Sequence, residues 1–368
     1  MSNKRINIAN GLAVEKIGVN NLDIYIPKIN ENHTEHDVKC VFANMGIGMV
    51  SYVDFVAIDI SNLDDIREVK RIQNVFPYMI PNCDNGIVEG VDANQGVVVD
   101  WKTTERTVEV KNNNSYPQYP YWREDFMFMA DANSIGSKPG NANSGTGTGG
   151  SLARFMVFED FLYTVDNSSL RLFAISTPAD PTMVKEMYVG WNIETLYPYG
   201  NKLFLGSTTG MMIYSLQDPS NPEFISQFRH ASSCDPVVVE GNYAYVTLRA
   251  GNLCGDVNSQ LDVIDISDIQ NPEQIAEYSM EEPYGLGIDD TLLFVCDGIA
   301  GLKIYNAADP KTIDQHKLAQ YNNIQAFDVI PLGNVLVMIG TDGLYQYEYS
   351  DPANIHQLSV IPIINLQH

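Results

Sequence analysis

The chain has 368 residues, 45% hydrophobic and 10% aromatic, with 22 Lys and Arg against 46 Asp and Glu and a formal charge of −24. That composition is globular, and the length admits two or three domains or one large repeat architecture. So anionic a surface repels phosphate backbones, which excludes nucleic acid as an expected partner, and no apolar run approaches the roughly 18 residues of a transmembrane segment.

In chain order, residues 1–36 read as an N-terminal extension that is able to add a strand closing a ring. "MSNKRINIANGLAVEKIG" carries no apolar h-region. The expectation is therefore either a cytosolic chain or a longer precursor whose leader, with or without a lipid anchor, was removed. "HTEHD" places His33 and His36 beside Glu35 and Asp37. Nothing predicts a helix that would align them as ligands, so a solvated segment is expected.

The first strand signal, "FVAIDISNLDD" from Phe55, is one copy of a pattern. Others are "LRLFAISTPADP" from Leu170, "MMIYSLQDPSNP" from Met211, "LDVIDISDIQNP" from Leu261, "LKIYNAADP" from Leu302 and "LYQYEYSDP" from Leu344, the later copies stepping by 41, 50, 41 and 42 residues. β-Branched and aromatic residues with apolar side chains on both faces predict a strand covered on both sides. The Asp-Pro and Asn-Pro pairs end it, because proline cannot donate a ladder hydrogen bond and Asp closes an Asx turn. Each copy follows a second strand ("NKLFLGS", "NYAYVTL", "TLLFVCD", "NVLVMIG") and a shorter inner one, and precedes a fourth such as "EFISQFRH".

Four antiparallel strands in a period near 42 predict an all-β protein, a β-propeller. Inner strands near Leu152, Ile193, Asp235, Tyr284 and Phe327, with degraded units near Val38 and Ile87, make seven blades. Six is the alternative if "GIVEGVDANQGVVVDWKTTERTVEV" is not a blade. Residues 37–368 then form one propeller domain, with 134–151 as a flexible Gly-rich insertion.

The "LDVIDIS…NP" unit and its variants, with "VGWNIETLYPYGNKLFLGS" and "SCDPVVVEGNYAYVTLR", resemble the LVIVD repeat and the bacterial propeller proteins built from it. The resemblance runs over roughly residues 38–364. It implies seven blades and an extracytoplasmic location, periplasmic or at the cell surface, in proteins many of which are exported or lipid-anchored. It implies no activity and transfers no catalytic residue.

Most motifs lead nowhere. "GTGTGG" at Gly145, Gly147 and Gly150 matches a dinucleotide fingerprint but precedes a strand rather than a helix. "DANSIG" opens like a calcium loop, but Ile135 and Ala142 stand where oxygens are needed. No G-x-S-x-G occurs. Trp101, Trp122 and Trp191 have the faces to stack on sugars, though propeller aromatics ordinarily pack between blades.

Two constellations remain. Cys234 and Cys254 fall in two loops on one face of one blade, so a disulfide between them is expected in an oxidising compartment, worth about 3 kcal/mol. Counting back ten residues from Phe204, Tyr245, Phe294 and Met338 reaches Glu194, Asp235, Tyr284 and Asp328, at the starts of inner strands. Converging there, with Asp297 and Asp342 adding negative field, they would line a ligand-binding channel mouth with Trp191. No cofactor is expected, calcium being the one possible ion. The favoured function is a non-catalytic extracytoplasmic binding or scaffold propeller presenting one loop face to a glycan or protein partner. The alternative is a carbohydrate-active enzyme using Glu194 and Asp235.

Overall fold

The computed structural model describes residues 54–57, 68–75, 150–229, 236–249, 258–341 and 343–362 with their side chains. It gives strand backbone alone at 5–7, 13–17, 22–26, 40–44, 58–59 and 67. Among these residues the secondary structure is β throughout, apart from two 3-10 turns at Gly298–Ala300 and Ile313–His316. Three N-terminal strands, β1 (Arg5–Asn7), β2 (Ala13–Ile17) and β3 (Leu22–Ile26), pair as an antiparallel meander of their own. A second three-stranded sheet holds β4 (Cys40–Asn44), β5 (Phe55–Asp59) and β6 (Arg67–Ile72).

Five four-stranded antiparallel blades follow. Blade one is β7 (Phe155–Phe158), β8 (Phe161–Val165), β9 (Ser169–Ala174) and β10 (Thr182–Tyr188). Blade two is β11 (Ile193–Tyr199), β12 (Lys202–Ser207), β13 (Gly210–Ser215) and β14 (Glu223–Arg229). Blade three is β15 (Val237–Glu240), β16 (Tyr243–Leu248), β17 (Gln260–Asp265) and β18 (Glu273–Ser279). Blade four is β19 (Leu286–Asp289), β20 (Leu292–Cys296), β21 (Leu302–Asn306) and β22 (Lys317–Tyr321). Blade five is β23 (Ala326–Leu332), β24 (Val335–Gly340), β25 (Gly343–Glu348) and β26 (His356–Pro362). The protein is an all-β propeller of antiparallel four-stranded blades, and every copy of the sequence repeat is a blade's third strand.

Five complete blades, rather than seven, are present among the described residues. The sheet β4–β6 is built as strands two to four of one more. Its β5–β6 ladder slips between Ala57 and Ile58, as the third-to-fourth ladders of the blades slip at Ile213/Tyr214, Val263/Ile264, Ile304/Tyr305 and Gln346/Tyr347. Such bulges bend and twist the outer strand. It also sits directly against blade one: Phe55 stacks on Phe173 at 6.0 Å, Arg171 Nη1 donates to the Val75 carbonyl (2.6 Å), and Lys70 pairs with Asp180 (2.7 Å). No blade stands between them. The unit expected near Ile87, like most of the 134–151 insertion, lies outside the described residues.

Two-faced blades bury their apolar residues only against each other. One core cluster joins Tyr163, Leu170 and Leu172 of blade one to Leu196, Leu203 and Met212 of blade two. Equivalent clusters fill the next three junctions. Each fully buried Leu or Phe contributes about 1.5–3 kcal/mol.

The Asp turns after the third strands, Asp-Pro in three blades and Asp268–Ile269 in blade three, then fasten the blades. Asp218, Asp268, Asp309 and Asp351 each accept the N–H two residues on, and their carbonyls accept the N–H three residues on. This fixes a tight turn whose second carbonyl points at the preceding blade. There a hydroxyl donates to it: Tyr163 to Pro219, Ser226 to Ile269, Tyr278 to Pro310 and Tyr321 to Pro352, at 2.5–3.3 Å. Tyr278 and Tyr321 also accept from Ile313 N and Ile355 N.

At the centre the inner strands close tightly. Ser151 faces Tyr197, Val238, Leu286, Ile288, Val329 and Pro331 around a cavity of about 30 Å³, room for roughly one water. Ser151 Oγ donates to Asp328 (2.9 Å) and accepts from Leu286 N (2.8 Å), and Leu152 N donates to the same carboxylate (3.2 Å). Residues 150–152 thus lie as a strap over the inner strands of blades four and five. Glycine is required on both sides, because a Cβ at Gly150 or Gly285 would sit 2.1 or 2.2 Å from the Asp328 carboxylate.

Two outcomes follow. Tyr278→Phe removes the donor to Pro310 and the acceptor for Ile313, and chemical denaturation is expected to show a loss of about 1–2 kcal/mol. Burial lifts the Asp328 carboxyl from 3.8 to about 6, against the hydrogen bonds from Ser151, Leu152 and Val329. The folded state therefore holds a proton that the unfolded state has released between these values, so this group stabilises less as pH rises from about 4 to 6, by on the order of 3 kcal/mol. Stability measured across that range for Asp328→Asn should lack this component. An unchanged slope would show that Asp328 is not its source.

Candidate functional site

The end of the ring where the inner strands begin is where the sequence places its site. Glu194 is the second residue of β11, and its neighbours in the ladder are Ile193↔Ser207 and Thr195↔Gly206. In blade five the corresponding pairs are Ala326↔Gly340 and Asp328↔Ile339. Glu194 and Phe327 are therefore the extra residues of matching bulges. Asp328 corresponds to buried Thr195 and lies on the other side of its strand. One residue of slip reverses the face. That is why Asp328 is buried under the strap, with its carboxylate occupied by Ser151, Leu152 N and Val329 N, instead of lining a mouth.

Tyr284 precedes β19 and meets Phe327 edge to face, with centroids 5.0 Å apart. Its hydroxyl donates to Glu282 Oε1 (3.0 Å), and the Arg249 guanidinium lies over its ring at 4.0 Å. Burial raises the Tyr284 hydroxyl, the Glu282 bond adds to this, and Arg249 opposes it. Glu194 is half-buried. Desolvation raises its carboxyl, while the charges of Arg154 and Arg249 pull it back. The structure thus brings Glu194 and Tyr284 into one neighbourhood through Arg249, with Arg154 beside Glu194, and the sequence reading selected neither arginine. Arg154 stands just before β7 and Arg249 just after β16. Their place in the blade frame, rather than any motif, is the signal that could have found them.

Asp297 does not face solvent at this end. It is wholly buried, accepts from Glu281 N (3.0 Å) and Glu282 N (2.8 Å), and pairs with Lys303. It anchors the Gly298–Ala300 turn, on which Ile299 is 70% exposed. Asp235, Asp342, Cys234 and Cys254 lie outside the described residues. Cys296 is a buried free thiol that desolvation raises well above its usual range. Among the described residues no three His, Cys, Asp or Glu side chains gather as a metal-binding group. No described helix is long and apolar enough to cross a membrane.

Trp191 stands apart from the axis, 74% exposed, in the connection from β10 to β11. Buried Val189 and Ile193 pin that connection at both ends, bonding to the Ser168 and Asn167 carbonyls. Gly190 (φ +145°) and Asn192 (φ +52°) turn the indole outward, where it meets Tyr188 edge to face at 5.9 Å and 76°.

Comparisons with known proteins come to bear on this frame. No curated protein matches the chain in sequence. Among solved structures, a protein of unknown function from Desulfotomaculum acetoxidans is 13% identical over 56% of this chain and 68% of its own, with a TM-score of 0.42. A periplasmic gluconolactonase of Pseudomonas aeruginosa, PpgL, gives 13%, 57%, 68% and 0.42. Apo AztD from Citrobacter koseri gives 10%, 58%, 60% and 0.42, so the chain spans about three fifths of that protein's length. These likenesses carry no activity across. The model of the LVIVD repeat matches residues 231–279, which hold all four strands of blade three. Blade three is therefore an LVIVD repeat, and the chain that holds it is a β-propeller.

Proposed function

We propose that the protein is a non-catalytic binding propeller acting outside the cytoplasm, which presents the end where the inner strands begin to a glycan or protein partner. One observation carries this reading. Nine large hydrophobic residues are exposed among those described. Met183, Val184, Phe224 and Leu318 lie on outer strands, at the rim. The other five lie at that one end: Leu152 on the strap, Tyr188 as the last residue of β10, Trp191 on the β10–β11 connection, Ile299 on the Gly298–Ala300 turn and Ile339 near the close of β24. Apolar residues held outward on pinned turns are the ordinary makings of an interface core.

The narrow axis and the occupied carboxylate of Asp328 speak against a substrate channel. An acid–base mechanism retains one support, the raised and half-buried carboxyl of Glu194, which has the character of a general acid.

The repeat resemblance supports the extracytoplasmic location and the count of seven blades. In such a ring β4–β6 is the sixth unit and β1–β3 supplies the seventh. A Cys234–Cys254 disulfide belongs to the same proposal.

Hydroxyl-radical footprinting in the presence of cell-envelope polysaccharide or intact cells is expected to protect Trp191, Tyr188, Ile299 and Ile339. Protection confined to the outer strands would overturn the choice of face, and glycan turnover lost in Glu194→Gln would replace binding by catalysis. Thiol titration in denaturant without reductant should count three free thiols of the five cysteines. A count of five removes the disulfide and its support for an oxidising location.

A further inference from the structure

The surface around Trp191 differs in chemistry from the rest of this anionic molecule. No charged residue occurs from Met187 to Ile193, nor from Leu203 to Gln217, the two segments that meet there. Thr208 N donates to the Asn192 carbonyl (3.2 Å), and Asn192 Nδ2 donates to Thr208 Oγ1 (3.2 Å). Ser207 and Thr209 exchange a hydroxyl contact at 3.4 Å, with Thr209 at the exposed tip of the turn. The nearest charges along these strands are Glu186, exposed two residues before Tyr188 and paired with Arg171 (3.0 Å), Glu194, half-buried, and Arg229, whose Nε donates to Gln227 (3.2 Å).

An exposed indole and an exposed phenol, at 76° to each other, therefore form a corner rimmed by an amide and hydroxyls, and the adjoining Glu186 is paired with Arg171. A −24 chain has many ways to attract a cation or a basic protein, and this patch uses none of them. What fits it is a ligand with a flat, weakly polar C–H face and neutral hydroxyls around its edge. The aromatic face receives the first, and the Asn and Thr groups exchange hydrogen bonds with the second.

We propose that Trp191 and Tyr188, with Asn192 and Thr209 and with buried Thr208 holding the Asn192 amide in place, form a subsite for a neutral sugar ring. This rests on reading that end of the propeller as its binding face, and it selects the glycan over a protein partner. The corner is preorganised. The edge-to-face contact holds the indole, and the connection carrying it is pinned on both sides, so little side-chain freedom is lost on binding.

The test is calorimetric titration of the full chain with neutral cello-, xylo-, manno- and chito-oligosaccharides, followed in parallel by tryptophan fluorescence. At least one series should bind, with Trp191→Ala weakening it about tenfold or more and Trp191→Phe recovering part of the loss. Melting temperature should not move, since the indole is 74% exposed. An acidic oligosaccharide of the same length should bind more weakly, and added salt should narrow the gap. Binding that survives Trp191→Ala overturns the subsite while leaving the binding face standing. A panel in which nothing binds at about 10 mM overturns the sugar assignment, and envelope footprinting then judges the face separately.

Discussion

A blade with apolar side chains on both faces has no stable existence alone, and this constraint governs everything else in the molecule. Each sheet must find a neighbour on each side, and the two must meet in one register or the interlocking cores do not fill. The Asp turns meet that need with a directional bond. The carboxylate of Asp218, Asp268, Asp309 or Asp351 shapes the turn, and the next carbonyl is delivered to a hydroxyl of the preceding blade. Burial supplies most of the free energy and is indifferent to small slides. The hydroxyl-to-carbonyl bond supplies little, but it is lost if a blade slides by one residue. Where the tyrosine of later blades is replaced by Phe228, Ser226 of the same strand makes the bond instead, so what persists is the acceptor rather than the donor.

The same tight registration explains why function is displaced from the axis. Ser151 of the strap and the inner strands of blades two to five line a cavity of about 30 Å³. Asp328 is the group on which the strap closes, and it is held there at an electrostatic cost, as its raised carboxyl records. Recognition is then left to the turns around the axis. Their backbone is unusually fixed, by the buried Asp297–Lys303 pair under Ile299 and by Val189 and Ile193 flanking Trp191.

The repeat was legible because each third strand is followed by its own stop signal, and spacing near 42 residues has few architectural solutions. The site was only half legible, and the failure has a definite cause. Counting from Met338 treats it as the counterpart of Phe204, but the bulges at Glu194 and Phe327 place Asp328 level with Thr195. An inserted residue is invisible in a strand pattern of alternating apolar and polar positions, yet it decides whether a carboxylate faces a ligand or a core. Arg154 and Arg249 were missed for a related reason. Neither belongs to a motif, and each acquires meaning only when separate blades are brought side by side. The unit read near Ile87 lies outside the described residues, and what the structure adds at that point of the ring is the direct contact of Phe55 with Phe173.

Charge completes the picture in a way the net value of −24 conceals. Over most of the molecule, carboxylates in turns and on outer strands keep the propeller soluble and its open strand edges from pairing with other chains. Two places depart from this. At Glu194, Arg154 and Arg249 oppose the rise that burial causes in its carboxyl, and Arg249 also lies over the Tyr284 ring. Around Trp191 charge is absent altogether over two facing segments. For the proposed sugar subsite, the net negative charge of the chain disfavours anionic ligands before contact, and the uncharged segments offer basic ones no partner at contact. Neutral, amphipathic chemistry is what passes both filters, and the rigid frame fixes where it can be read.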